Sequence, residues 1–310
     1  MNFKSLFLPV GLLVALILAV LLPSPGLWMS GRGMVTVFIV VIFLLSGWHL
    51  NLKSAGIDRK LGAAFAVSVI VSLLIGPFVG LAVASALGLG MAFGVGLIVM
   101  SSVPVTLSSA SVITEVSGGN GPWAVLMTIG LNITGIFTVP FMLKFCIDEA
   151  DDIDISAGKL LLKLLLLVLI PFVAGYVFRR VSRLGTNAIL RYMPSLCVIL
   201  TVYVAFSVSS GSLSGTAYSQ YPLLICAVLL VHIILMLTAW CGGTALKLEK
   251  PENKALMFVS SEKTLPIALS VISIIGIESG AALIPCLLFH FAQLIFDSSF
   301  AVYLAKRSQM

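Results

Sequence analysis

Two stretches decide how this chain reads: Ser101-Ser102-Val103-Pro104-Val105-Thr106-Leu107-Ser108-Ser109, and Ser260-Ser261-Glu262-Lys263-Thr264-Leu265-Pro266. Each lies inside a long apolar run, and each surrounds a proline with polar side chains. Ser111 and Thr114 extend the first cluster, and Ser270 the second. Proline in a helix interior removes a hydrogen bond and clashes with the preceding turn, so both runs are predicted to break there. Unwound backbone is costly in lipid and survives only inside protein or beside a water-filled cavity. Two such polar-lined breaks therefore predict a pair of segments facing one another inside a membrane protein.

Working outward, the chain has 310 residues, 60% of them apolar and 10% charged. Mean hydropathy is +1.17. A water-facing globule needs roughly 25% charged residues, and disorder needs low hydrophobicity, so both are excluded. The apolar residues come in runs of about 20, the length that crosses a bilayer core as a helix. The fold class is an all-α polytopic membrane protein with ten predicted transmembrane helices. They cover residues 5–23, 34–50, 61–86, 90–115, 122–145, 159–179, 193–211, 221–246, 254–277 and 281–304. The first run is read as a retained helix, because it is long for a signal peptide and Pro23-Ser24-Pro25 follows it with no small-residue cleavage site.

Lys and Arg set the orientation. Thirteen lie on the side shared by both termini, at Lys4, around Lys53 to Lys60, Arg179 to Arg191, Lys247 to Lys254, and Lys306-Arg307. Four, Arg32, Lys144, Lys159 and Lys163, lie on the other side. Both termini are therefore predicted to be cytoplasmic, in the plasma or inner membrane of a cell. The net charge of +6 serves this topology rather than nucleic acid.

The one long polar interruption is acidic, Asp148-Glu149-Ala150-Asp151-Asp152-Ile153-Asp154. It divides the chain into a first five-helix repeat (1–148), an acidic linker (149–158) and a second repeat (159–310). With an odd number of spans in each half, the second is predicted to enter the membrane inverted. Pro104 and Pro266, in the fourth span of each half, are 162 residues apart, as are Pro9 and Pro171, Ser108 and Ser270, and Thr128 and His290. Matched broken helices in inverted halves are the sequence pointer to a transporter's site at the bilayer midplane. Half-helix N-termini would offer N–H groups to an anion there, and freed carbonyls would suit a cation.

The spans after each break carry a polar face. His290, Gln293 and Asp297 share one side of the tenth, and Thr128 and Asn132 one side of the fifth. Glu262, Lys263 and Asp297 lie within spans, where a charge costs about 2.5–3.5 kcal/mol, so they are expected to be enclosed and paired. His49 and His232 read as interfacial or packing residues, and the five scattered cysteines as small buried hydrophobes. No zinc-hydrolase, nucleophile-elbow or P-loop motif occurs, so an enzyme is not expected. No metal centre or cofactor is expected either, apart from Na+ as a coupling ion.

The candidate substrate site comprises Pro104, Thr106, Ser108, Asn132, Lys263, Thr264, Pro266 and His290, and the candidate ion site Ser109, Ser111, Thr128, Ser260, Glu262, Gln293 and Asp297. The expected partners are the lipid bilayer and a small organic anion, with homo-oligomerisation left open.

The layout, the stretch 102–109, Val112-Ile113-Thr114 and Gly118-Gly119-Asn120 together resemble the bile acid:sodium symporter family. The stretch Ser260–Pro266 is similar to its divergent, SBF-like branch. The resemblance implies a core of spans 3–5 and 8–10 moving against a panel of spans 1, 2, 6 and 7, with two sodium ions driving uptake of an organic anion. It also implies a sodium ligand at Thr128, while the family's Ser-Asn ligand pair falls among Ser109, Ala110 and Ser111, with no Asn. At other ligand positions this chain has Ala124, Ser72, Val259 or Ser260, and Lys263, so the ion sites are only partly kept. The ammonium of Lys263 would stand where relatives hold an ion. The expected function is a secondary transporter of a small organic anion, sodium-coupled or else sodium-independent or proton-coupled. A non-transporting regulatory protein of the same fold is the rival.

Overall fold

The computed structural model describes residues 3–50, 58–106, 109–148, 156–182, 188–213, 220–275 and 280–308, and no β-strand occurs among them. The helices are α1 (Phe3–Leu21), α2 (Pro23–Gly31), α3 (Met34–His49), α4 (Arg59–Ala86), α5 (Met91–Ser102), α6 (Ser109–Val116) and α7 (Gly121–Asp148). They continue as α8 (Ala157–Val181), α9 (Ala188–Leu213), α10 (Gln220–Ala245), α11 (Lys250–Ser261), α12 (Leu265–Ile275) and α13 (Leu283–Ser308). Most of the acidic linker (149–155) lies outside the described residues.

Seven spans are long and apolar enough to cross a membrane, or eight if the bent pair α1–α2 is one span. This is fewer than ten, for local reasons. The second predicted span is only 16 residues long as α3, and the fourth is divided into α5 and α6. The sequence Pro23-Ser24-Pro25 does not end the first span in a loop. Proline is tolerated in a helix's first turn, so a separate helix, α2, starts there and turns 95° from α1.

Two helices contain a π turn, Ile70–Ile75 in α4 and Leu165–Leu169 in α8. Each is followed by a proline, Pro77 and Pro171, which has no N–H to donate. The ladder adjusts upstream: the N–H of Gly76 reaches back to the carbonyl of Val71, and that of Ile170 to Leu165. In α4 this leaves the carbonyl of Ser72 without a main-chain donor. Neither the α pattern (Gly76) nor the π pattern (Pro77) supplies one.

Extensive packing joins α3 to α8, α1 to α9, and α9 to α2 and α3. A second set of close pairs joins α4 to α5, α10 to α11, and α13 to α5 and α10. Helices in lipid gain little from hydrophobic contact with one another, so they associate through close backbone approach. The α3–α8 crossing is such a case. A Cβ on Gly47 would lie 1.9 Å from the carbonyl oxygen of Phe172, and one on Gly175 would lie 1.8 Å from that of Leu44. Neither backbone can yield without separating the helices. Gly175→Ala is expected to destabilise the protein by about 1–3 kcal/mol, the overpacking range, as read from denaturant unfolding in micelles. Gly158→Ala, which meets nothing within 4 Å, should leave stability unchanged.

A buried crossing of two interrupted helices

Helices α5 and α11 are both 12 residues long and both end on a Ser-Ser pair, at Ser102 and Ser261. Each is followed by a residue in extended conformation, Val103 (φ −71°, ψ 154°) and Glu262 (φ −68°, ψ 148°). The two helix ends are thus 159 residues apart, not the 162 separating the prolines. Pro104 lies inside its break, whereas Pro266 lies in the first turn of α12, where a missing N–H is harmless.

The breaks touch. The N–H of Thr264 donates to the carbonyl of Pro104 at 2.8 Å. Around this bond α11 packs on α6 and α12 on α5, so the interrupted helices cross antiparallel. Residues 101–106 and 260–264 are all buried.

Among the described residues, several main-chain groups at the breaks are taken up within the protein. A carboxamide from the next long helix serves each break. Asn132 of α7 donates through Nδ2 to the carbonyl of Val105 at 3.0 Å. Gln293 of α13 accepts from the N–H of Lys263 at 2.9 Å and donates to its carbonyl at 2.8 Å.

Glu262 and Lys263 are both wholly buried but do not pair. Consecutive residues in extended backbone point to opposite sides, which separates them. Glu262 turns toward α6, where its Oε2 accepts from Thr106 Oγ1 at 2.5 Å and Ser109 Oγ at 2.6 Å. The two hydroxyl oxygens also lie against each other, although with both protons given to Glu262 neither has one left to donate across that contact. Lys263 turns toward α4 and donates to the carbonyl and hydroxyl of Ser72, at 2.7 and 2.9 Å. Sequence alone expected the intramembrane charges to be paired; for Lys263 the partners among the described residues are the neutral oxygens of Ser72.

Asp297 is paired, with a residue the sequence reading set aside. His232 of α10 meets Asp297 Oδ1 through Nε2 at 2.8 Å, and its Nδ1 lies 3.3 Å from the carbonyl of Ser261. His232 sits in a run with no other polar residue nearby in sequence, so nothing local marked it. The one available signal was its place near the middle of the predicted span 221–246.

The other candidates are placed as follows. His290 is buried with Nδ1 3.3 Å from Gln293 Nε2. Ser260 hydrogen-bonds Ser68 of α4 at 2.9 Å. Thr128 is buried one turn before Asn132, whose amide also reaches the Thr128 carbonyl. Ser111 lies on α6, and Ser108 falls outside the described residues. Buried polar atoms in this region without a hydrogen-bond partner among the described residues include Thr128 Oγ1, Asn132 Oδ1, Glu262 Oε1, His290 Nε2 and Asp297 Oδ2.

At one edge of the crossing, α6 ends in a left-handed Gly118 (φ 72°), and the N–H of Gly119 returns to the carbonyl of Thr114. Lys254 of α11 donates to the carbonyl of Ser117 at 2.5 Å, and Asn120 reaches both Pro251 and Glu252. A cation on a helix C-terminus complements the dipole as well as the open carbonyl. Lys254→Met should therefore cost about 1 kcal/mol in thermal unfolding.

An all-helical integral membrane protein whose two interrupted helices cross in its interior is the class these features define. The chain belongs to the SBF-like CPA transporter family, whose model matches residues 7–306. Its relatives include the probable sodium/metabolite cotransporter BASS4, chloroplastic, of Oryza sativa subsp. indica, 26% identical over 99% of this chain and 77% of the relative. Sodium/bile acid cotransporter 7 of Xenopus tropicalis is 23% identical over 84% and 79%. The uncharacterized sodium-dependent transporter YocS of Bacillus subtilis is 25% identical over 82% and 78%.

Proposed function

We propose that this protein is a secondary active transporter that moves a small organic anion across a cell's plasma or inner membrane by alternating access, coupled to a cation. The observation that carries the reading is the crossing itself. Two interrupted helices are clasped by Thr264 and Pro104 beside buried carboxylate oxygens, Glu262 Oε1 and Asp297 Oδ2, that none of the described residues satisfies. A buried acceptor without a donor is costly, and a transported cation would relieve that cost. Glu262 with the hydroxyls of Thr106 and Ser109 offers the hard oxygens a sodium ion takes. The relatives named as sodium cotransporters favour sodium as that cation.

The inverted five-plus-five arrangement belongs to this proposal. Its support is the equal length of α5 and α11, their matching end geometry, and similar caps at the ends of α4 and α10. There Leu89 N–H returns to Ala84 and Leu248 N–H to Gly243, around left-handed Gly88 and Lys247. The two packing sets support a panel of α1–α3, α8 and α9 facing a core of α4–α7 and α10–α13. Both termini would be cytoplasmic.

The test is uptake of a panel of small organic anions into proteoliposomes under an inward sodium gradient, an inward proton gradient, or neither. Gradient-driven accumulation of at least one anion is expected. Absence of accumulation under every gradient would overturn the reading in favour of a non-transporting protein.

A further inference from the structure

We infer that α2 lies in the plane of the membrane surface opposite the termini, and that Trp28 and Arg32 on its outer face form a seat for the phosphodiester of an anionic phospholipid. Helix α1 has 19 residues. A helix of that length rises about 28 Å, close to the thickness of a hydrocarbon core. Its exposed aliphatic side chains Leu13, Ile17 and Leu21 follow one face up to the bend. The chain therefore leaves hydrocarbon where α2 turns away by 95°, and a helix at right angles to a spanning one runs along the interface.

Both the bend and the roll of α2 are fixed. Tyr203 of α9 donates through Oη to the Leu22 carbonyl at 2.6 Å, at the turn itself. Gly26 is buried against α9, where a Cβ would strike the hydroxyl of Ser207, and Met29 packs on an apolar cluster of α3 and α9. With positions 26 and 29 turned inward, Ser24, Trp28 and Arg32 share the outer face, and Trp28 is 55% exposed.

The guanidinium of Arg32 lies 4.0 Å from the centroid of the Trp28 ring. Stacking covers one face of the guanidinium and leaves the N–H groups at its edge, and among the described residues no carboxylate pairs with them. The indole anchors the helix at headgroup depth and holds that planar fork ready for two phosphate oxygens. Charge selects the lipid. A zwitterionic headgroup brings its own ammonium to the phosphate, whereas phosphatidylglycerol leaves the phosphate uncompensated.

The seat does not depend on transport, and only its consequence does. Because α2 packs on α9 and α3, a bound lipid would hold the panel to the membrane surface while the core moves.

Full-length wild type, Arg32→Gln and Trp28→Leu are melted in uncharged micelles doped with increasing phosphatidylglycerol, or with phosphatidylcholine of the same chains. Wild type should melt higher with phosphatidylglycerol than with phosphatidylcholine. Arg32→Gln should need about fivefold more phosphatidylglycerol for half of that rise, the effect of one Arg beside an anionic surface. Trp28→Leu stays apolar but releases the guanidinium, and should move the midpoint the same way. Lys159→Gln/Lys163→Gln removes two exposed cations from the same side and should keep the wild-type midpoint. Inorganic phosphate should give no rise. The seat is overturned by equal melting of wild type in the two lipids, or by an unmoved midpoint in Arg32→Gln or Trp28→Leu. A matching shift in Lys159→Gln/Lys163→Gln, or a rise with inorganic phosphate, overturns it too. A changed oligomeric state in Arg32→Gln with an unmoved midpoint would assign this face to a second copy instead. Proteoliposomes that accumulate no anion would end the transport reading and leave these melts to decide the seat.

Discussion

Glu262→Ala should lower the apparent affinity for the coupling cation at least about 100-fold while the protein still folds. The carboxylate is fully buried and receives two hydroxyl hydrogen bonds across the helix crossing, from Thr106 and Ser109. Hydrogen bonds to a charged group are worth about 1.5–3 kcal/mol each, and a tenfold change in affinity is about 1.4 kcal/mol. Loss of the charge alone, in Glu262→Gln, keeps one acceptor for the hydroxyls and isolates the electrostatic part. Uptake measured against cation concentration separates affinity from turnover. Wild-type cation dependence in Glu262→Ala would remove this carboxylate from the site.

The second large effect concerns stability. His232→Leu is expected to destabilise the protein by about 3–5 kcal/mol, because it strands the Asp297 carboxylate at 0% exposure with neither oxygen satisfied. It also takes a partner from the Ser261 carbonyl, at the point where α11 gives way to the break. The double variant His232→Leu/Asp297→Leu removes the orphaned charge and should recover most of the loss, since replacing a buried pair by apolar residues is often neutral. Unfolding titrations of the two single variants and the double variant form a cycle. Additive losses would show that the pair is not coupled.

Much of the architecture was legible because it depends on local composition. Apolar runs of bilayer length, the scarcity of charge and two prolines among hydroxyl residues pointed to a helical membrane protein with interrupted helices. The same local reading erred where context decides what a proline does. Pro104 sits within its break, Pro266 opens the next helix, Pro23 starts α2, and Pro77 acts through the π turn before it. One residue type met three different demands, set by where the neighbouring N–H and carbonyl groups lay.

The candidate site was legible in part for the same reason. Glu262, Thr106, Ser109, Gln293 and Asn132 stood out as polar residues in apolar runs, and the fold brings them to one crossing. Their partners were not legible. His232 lies 65 residues from Asp297, and Ser72 lies 191 from Lys263.

By itself, the sequence determined that the chain enters lipid as helices and where two of them must yield, because hydropathy and proline act on residues close along the chain. Only the tertiary structure decided that Glu262 and Lys263 part company, one toward hydroxyls and the other toward a stranded carbonyl. A single extended residue turns neighbouring side chains to opposite faces, and which helix waits on each face depends on packing between segments distant in the chain.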